Sequence, residues 1–141
     1  MDKKRIFSKF EEMDKYLEEL NEIKPSNFDE YKNLIEKKRA CERLLQIIIE
    51  SVIDVCNIIT SDLRLGIPAD EEDMFTKLEK KSVITKKIKN ILINIKGMRN
   101  VLVHKYDIVK DELVFEAISK KLGDFERFRT EILGFLKRNR T

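Results

Sequence analysis

The sequence predicts an all-α fold, an antiparallel bundle of four to five helices. Three observations predict it. Long segments carry apolar residues at spacings of three and four, the repeat of one helix face. Glycine and proline together number six in 141 residues, about 4% against about 12% in average usage. That is too few to punctuate the tight turns of a sandwich, a barrel or a doubly wound sheet. The chain is 42% apolar and 39% charged, and its length fits one helical domain over 1–141, with a core from about 5 to 137. A chain of this size buries roughly 68–70% of its unfolded surface, enough for a real core.

The first helix is expected from Asp2 to Glu22. Ile6, Phe10, Met13, Leu17 and Leu20 fall at 4-3-4-3 spacing, and Pro25 ends it. Ser26, with Asp29 three positions on, resembles a capping box with Asp in place of Glu. The second segment runs from Asn27 to Leu63. Leu34, Cys41, Leu45, Ile48, Val52, Val55 and Ile59 lie on one side, and Ile47, Ile49, Ile53 and Ile58 widen it until most of the circumference is apolar. Such a helix is central or packed against two partners. Straight, it would span roughly 55 Å, too long for this chain, so a bend or break is expected. Gly66 and Pro68 close it. A short helix over Asp70 to Lys80 buries Met74, Phe75 and Leu78. The third long helix, Ser82 to His104, carries the stripe Ile84, Ile88, Ile91, Ile95, Met98 and Leu102. A loop follows around Asp107 to Lys110. The last helix, Asp111 to Lys137, buries Val114, Ile118, Leu122, Phe125, Phe128, Ile132 and Phe135. Short connections between such stripes imply an antiparallel bundle.

Composition excludes several functions. The chain has one histidine and two cysteines, so a multi-histidine metal site within one chain and a disulfide framework are both excluded. Neither a metal site nor a cofactor is expected. Cys41 and Cys56 share one helix, 15 residues apart or roughly 22 Å along its axis, and cannot bridge. They read as small buried apolar residues. No run of 18 uncharged apolar residues exists and the N-terminus has no apolar stretch after its charges. No membrane span and no signal peptide are expected, and the cytoplasm is the default compartment.

Net charge is only +3, but it is unevenly spread. Residues 77–110 hold ten cations (Lys77, Lys80, Lys81, Lys86, Lys87, Lys89, Lys96, Arg99, Lys105 and Lys110) against Glu79 and Asp107. That segment carries +8 and the remainder therefore −5. Such a stretch can attract a polyanion such as RNA; a solvated lysine-rich helix face has the same composition. The basic tail Lys137-Arg138-Asn139-Arg140 adds little.

Within that segment, Arg99 interrupts a second apolar stripe of the same helix: Ile88, Leu92, Ile95, Arg99, Leu102, Tyr106. A guanidinium at the edge of a seam must find acceptors. Either it pairs structurally with an acid on another helix, or it serves a site. His104 follows five positions later, about 140° around an ideal helix, so the two converge only through arginine's reach, unwinding at the helix end, or a two-fold axis. A lone histidine is often structural, yet its ordinary pKa near 6.5 suits proton transfer. Gly97 lies about two turns before His104. Glycine inside a helix costs about 1 kcal/mol against alanine, which close approach of a partner helix or phosphate backbone would justify.

Arg99-x-x-x-x-His104-x-Tyr106 resembles the signature of the HepT-like toxins, a branch of the HEPN (higher eukaryote and prokaryote nucleotide-binding) superfamily. Met98 to Tyr106 closely resembles its RN-x-L-x-H-x-Y core, Arg39 to Ile47 resembles its second helix, and Val109 to Leu113 fits its short connection into the last helix. The resemblance covers roughly residues 10–136. Lys105 departs from the acidic residue of many relatives and leaves the Arg–His pair untouched.

The resemblance implies a metal-independent endoribonuclease, the toxin of a type VII-like toxin–antitoxin pair, acting as a homodimer. The RNA 2′-hydroxyl would attack the adjacent phosphate, leaving a cyclic phosphate and a free 5′-hydroxyl. That step needs a base, an acid and cations for the developing charge. One chain offers one histidine; two chains offer two. By resemblance His104 is the general acid/base, Arg99 orients phosphate and stabilises charge, and Asn100 supplies supporting hydrogen bonds. Tyr106 is the residue to which an MntA-like minimal nucleotidyltransferase antitoxin would transfer AMP, placing charge and bulk two residues from His104. The alternative is a non-catalytic HEPN-like helical module that binds nucleotide or a nucleotidyltransferase partner. RNA cleavage by the wild-type protein separates the two.

Overall fold

The fold was obtained as a computed structural model, which describes residues 1–103 and 109–139. They form seven helices: α1 (Lys3–Ile23), α2 (Phe28–Asn33), α3 (Ile35–Asp62), α4 (Glu71–Lys80), α5 (Lys86–Val103), α6 (Val109–Lys120) and α7 (Gly123–Arg138). Five expected segments become seven helices among the described residues because two of them break.

The first break is the one that length demanded. Leu34 leaves helical geometry at φ −95°, ψ 87°, stands 46% exposed and is therefore not part of the buried side expected for it. The cap of α2 is Asn27 rather than Ser26. Its side chain accepts the Glu30 N–H at 2.8 Å, and the Glu30 carboxylate reaches back to accept the Ser26 N–H at 3.4 Å. The arrangement is like a capping box shifted one residue along, except that Glu30 accepts from the residue before the cap rather than from the cap itself.

The second break was not foreseen. After the Lys121 N–H bonds to the Ala117 carbonyl at 3.0 Å, the Asp124 and Phe125 N–H groups reach back only three residues, to Lys121 and Leu122. Gly123, a weak helix former, then opens α7. Leu122 is half-buried rather than buried; the other residues expected to be buried along this segment are buried.

Helix α3 is the centre. Cys41, Leu45, Ile48, Ile49, Val52, Val55, Cys56 and Ile59 are all at most 1% exposed, whereas Ile47 is half-buried. α1 lies along α3, with α4, α5, α2 and α6 also packed on it. The five apolar residues expected of α1 are its five buried ones. α3 also contains an 18-residue stretch of mean hydropathy 1.6, long and apolar enough to cross a bilayer, and 61% of that stretch is buried inside the bundle. α7 closes on α1 through Phe128, whose ring meets Phe10 edge-on with centroids 6.0 Å apart.

α3 and α4 end alike. The Leu65 N–H bonds to the Thr60 carbonyl and the Arg64 N–H to the Ser61 carbonyl; the Val83 N–H bonds to Leu78 and the Ser82 N–H to Glu79. Both are Schellman closures. The left-handed residue is Arg64 (φ 53°) in one and Ser82 (φ 58°) in the other, so Arg64, not Gly66, turns the chain out of α3. The α4 closure delays α5 to Lys86 instead of Ser82. Thr85 caps α5, its Oγ1 accepting the Ile88 N–H at 3.3 Å, and Glu131 of α7 holds Thr85 through both backbone and hydroxyl.

Candidate active site

The site is built on a hairpin of two helices. Asp70 caps α4, its carboxylate accepting the Asp73 N–H at 2.7 Å, while Asp73 accepts the Ala69 N–H at 2.9 Å. Glu71, Glu72 and Asp73 fill the first turn, where carboxylates complement the positive end of the helix. α4 runs to the turn at 81–85 and α5 returns beside it, burying Met74, Phe75 and Leu78 against the bundle. Lys89 meets Glu79 at 3.5 Å near the turn. Farther along, Arg99 meets Glu71.

The buried residues of α5 are Ile88, Leu92, Ile95 and Leu102. This is the second stripe, the one Arg99 interrupts; Ile91 and Met98 of the first stripe are only half-buried. Arg99 therefore stands at a seam position, its side chain 26% exposed. Its Nη1 donates to Glu71 Oε2 at 2.7 Å and its Nη2 donates to Glu71 Oε1. The pair is end-on and bidentate, the stronger arrangement for guanidinium and carboxylate. Arginine has five N–H donors. The Nε–H and the Nη–H beside it form a second fork, and Arg99 makes no other hydrogen bond among the described residues. The structural pairing that the sequence left open is thus present, with its acid on α4. Sequence reasoning missed Glu71 because no local signal joins residues 28 apart.

Asn100 is exposed on the next position of α5. His104 and Tyr106, the other site residues expected, lie outside the described residues, as does the expected loop around Asp107. Gly97 is exposed, and a Cβ there would meet nothing within 4 Å among the described residues. The charge excess of 77–110 is partly matched in space. Lys77 lies 4.0 Å from Asp73, Lys89 pairs with Glu79 and Arg99 with Glu71. Lys80, Lys81, Lys86 and Lys87 are exposed, but they cluster at the far end of the hairpin, roughly 20 Å along α5 from Arg99. Both cysteines are buried. Burial pushes the Cys41 thiol up to about 11 and that of Cys56 higher still, so neither is a nucleophile. Among the described residues no three of His, Cys, Asp and Glu are grouped to hold a metal ion.

Residues 13–132 match the family described as ribonuclease HepT-like. The chain belongs to the HepT-like ribonuclease family. Its all-α bundle is that of the HEPN toxins. This HepT-like chain is 30% identical over 131 residues to a protein named tRNA nuclease HepT from Aphanizomenon flos-aquae, covering 93% of this chain and 89% of that one. It is 36% identical over 84 residues to one named mRNA nuclease HepT from Shewanella oneidensis, covering 60% and 63% of the two chains. Among solved structures it superimposes on the tri-AMPylated Shewanella oneidensis HEPN toxin in complex with MNT antitoxin, with a TM-score of 0.82 and 26% identity over 92% of this chain and 97% of that one. It also matches a toxin–antitoxin structure containing AMP-PNP, with a TM-score of 0.83 and 25% identity over 93% and 98%.

Proposed function

We propose that this HepT-like protein is the toxin of a toxin–antitoxin pair, a cytoplasmic, metal-independent endoribonuclease with Arg99 and His104 as its catalytic residues. The observation that carries the reading is Arg99: a guanidinium in the apolar seam of α5, held by one fork with a second to offer. It opens an Arg-x4-His-x-Tyr motif in a chain of this family, whose relatives include proteins named tRNA nuclease and mRNA nuclease.

The chemistry follows from the side chains. His104 of one copy takes the proton of the RNA 2′-hydroxyl as its oxygen attacks phosphorus. The protonated His104 of a second copy gives its proton to the departing 5′-oxygen. The products are a 2′,3′-cyclic phosphate and a 5′-hydroxyl. Arg99 from both copies stabilises the extra negative charge on the non-bridging oxygens, where oriented cations act most strongly. Asn100 is a supporting donor. Two imidazoles require two chains, so the active species is a homodimer. An MntA-like nucleotidyltransferase transfers AMP from ATP to the Tyr106 hydroxyl with loss of pyrophosphate. The adduct adds negative charge and bulk two residues from His104 and so repels RNA phosphate. A solved relative described as tri-AMPylated and bound to MNT antitoxin supports this arm.

The test is RNA cleavage by the purified dimer in EDTA, with cyclic-phosphate ends on the products. Arg99→Ala and His104→Ala are expected to abolish it while keeping the helical circular-dichroism signal. Full activity of His104→Ala overturns the assignment. Absence of cleavage by wild type favours the non-catalytic reading, which the Glu71 partner of Arg99 also suits. Mass spectrometry after co-expression with the nucleotidyltransferase is expected to place AMP on Tyr106.

A further inference from the structure

We infer that Glu71, the first residue of α4, is a positioning residue for the ribonuclease reaction, holding Arg99 so that its second N–H fork faces the scissile phosphate. The inference rests on the nuclease reading above and extends it to a carboxylate 28 residues from the motif.

Three features carry it. The carboxylate itself is fixed: it sits in the first turn of a helix capped by Asp70, at the end of the helix dipole that favours negative charge. The contact uses both carboxylate oxygens and both terminal nitrogens of Arg99, which sets the plane of the guanidinium as well as its distance. Both side chains are about one-quarter exposed, so the pair is partly packed yet reachable from solvent. A long arginine side chain left unanchored would sample many rotamers. Anchored end-on, it presents the Nε–H and the neighbouring Nη–H as a pair, the geometry that binds two phosphate oxygens. Glu71 touches neither RNA nor the reacting atoms; it acts through Arg99.

The experiment is steady-state cleavage of a short fluorescent RNA by the full-length protein carrying Glu71→Gln, Glu71→Asp, Arg99→Lys or both Glu71→Gln and Arg99→Lys, each checked for helicity and dimer formation. Glu71→Gln is expected to lower kcat roughly 10²-fold, the scale of an ångström-level misplacement, and to move KM less. Glu71→Asp is expected to restore part of the loss. In the Arg99→Lys background, which has no fork to orient, Glu71→Gln is expected to change kcat little. If Glu71→Gln fails to fold, Glu71→Asp carries the same comparison, with a smaller loss that disappears in the Arg99→Lys background. Wild-type kcat in folded Glu71→Gln overturns the inference and leaves the nuclease reading standing. A higher kcat also overturns it, making Glu71 a competitor for phosphate. An equal fall in both backgrounds overturns it in favour of a structural role. A wild-type protein that cleaves no RNA removes the nuclease reading and this inference together.

Discussion

Lys38 Nζ lies 2.7 Å from Asp111 Oδ2, with the two side chains only 16% and 18% exposed. The pair ties the start of α3 to the first turn of α6, the helix that follows the motif. Asp111 also sits where the α6 dipole favours an acid. Asp111→Asn leaves a largely buried ammonium without its counter-charge and is expected to cost about 1–3 kcal/mol. A Lys38→Met, Asp111→Leu double variant is expected to lose less than the two single losses combined, because no lone charge remains. Urea denaturation of the wild type, Asp111→Asn, Lys38→Met, Asp111→Leu and the double variant checks this.

The cap of α4 links stability to the site. Asp70→Ala is expected to destabilise by about 1 kcal/mol, and Asp70→Asn by much less. Asn27→Ala, which removes the cap of α2, is expected to lose a similar amount. Only Asp70→Ala should also slow RNA cleavage, since its helix carries Glu71. Thermal melts and a cleavage assay side by side separate the two effects.

Ser82 holds a left-handed backbone at φ 58°, where a Cβ crowds the following carbonyl. Its neighbours Leu78 and Val83 are fully buried, so the closure is fixed by packing. Ser82→Gly is expected to raise stability by about 0.5–1 kcal/mol. An unchanged urea midpoint would show that the surroundings had already relieved the crowding.

Gly97 makes the opposite substitution informative. With no atom within 4 Å of the added Cβ, Gly97→Ala is expected to stabilise the chain by about 0.5–1 kcal/mol through helix propensity. The same denaturation experiment, repeated across protein concentrations, reads the outcome. Destabilisation that grows with concentration would reveal a second copy packed against this face of α5.

Cys41 gives the folded state an alkaline limit. Its pKa is raised by burial to about 11 from an ordinary 9. The unfolded thiol therefore loses its proton first, and stability that is complete below pH 9 falls as pH rises toward 11. Cys41→Ala is expected to flatten that part of the stability profile, measured as urea midpoints between pH 8 and 11. At pH 8 the wild-type thiol is expected to react slowly with a disulfide reagent.

Where a stripe has one solution, sequence and structure agree. The 4-3-4-3 run of α1 and the Met74, Phe75, Leu78 trio of α4 are the buried faces of those helices. α5 carries two overlapping stripes, and spacing does not choose between them. The bundle buries the one containing Arg99, and α4 supplies that arginine with a carboxylate. The break at Lys121 and Leu122 was invisible for a related reason: Val114, Ile118 and Phe125 keep helical spacing across it, so two non-helical residues leave no mark on the pattern. Charge was harder to read: Asp73 and Glu71 lie just outside the basic segment in sequence but beside it in space, and Lys80, Lys81, Lys86 and Lys87 gather at the end of the hairpin far from Arg99. The Arg–His–Tyr motif was readable as a string; the acid that fixes its arginine needed the fold.

The greasiest helix of this protein depends on its neighbours to stay hidden. α1 is the main cover along α3, and it precedes α3 in the chain, so the shield is synthesised before the surface it protects. A version beginning at Phe28 would emerge with a bilayer-grade segment unclothed, and its fate would be clumping or capture by chaperones rather than a smaller working bundle.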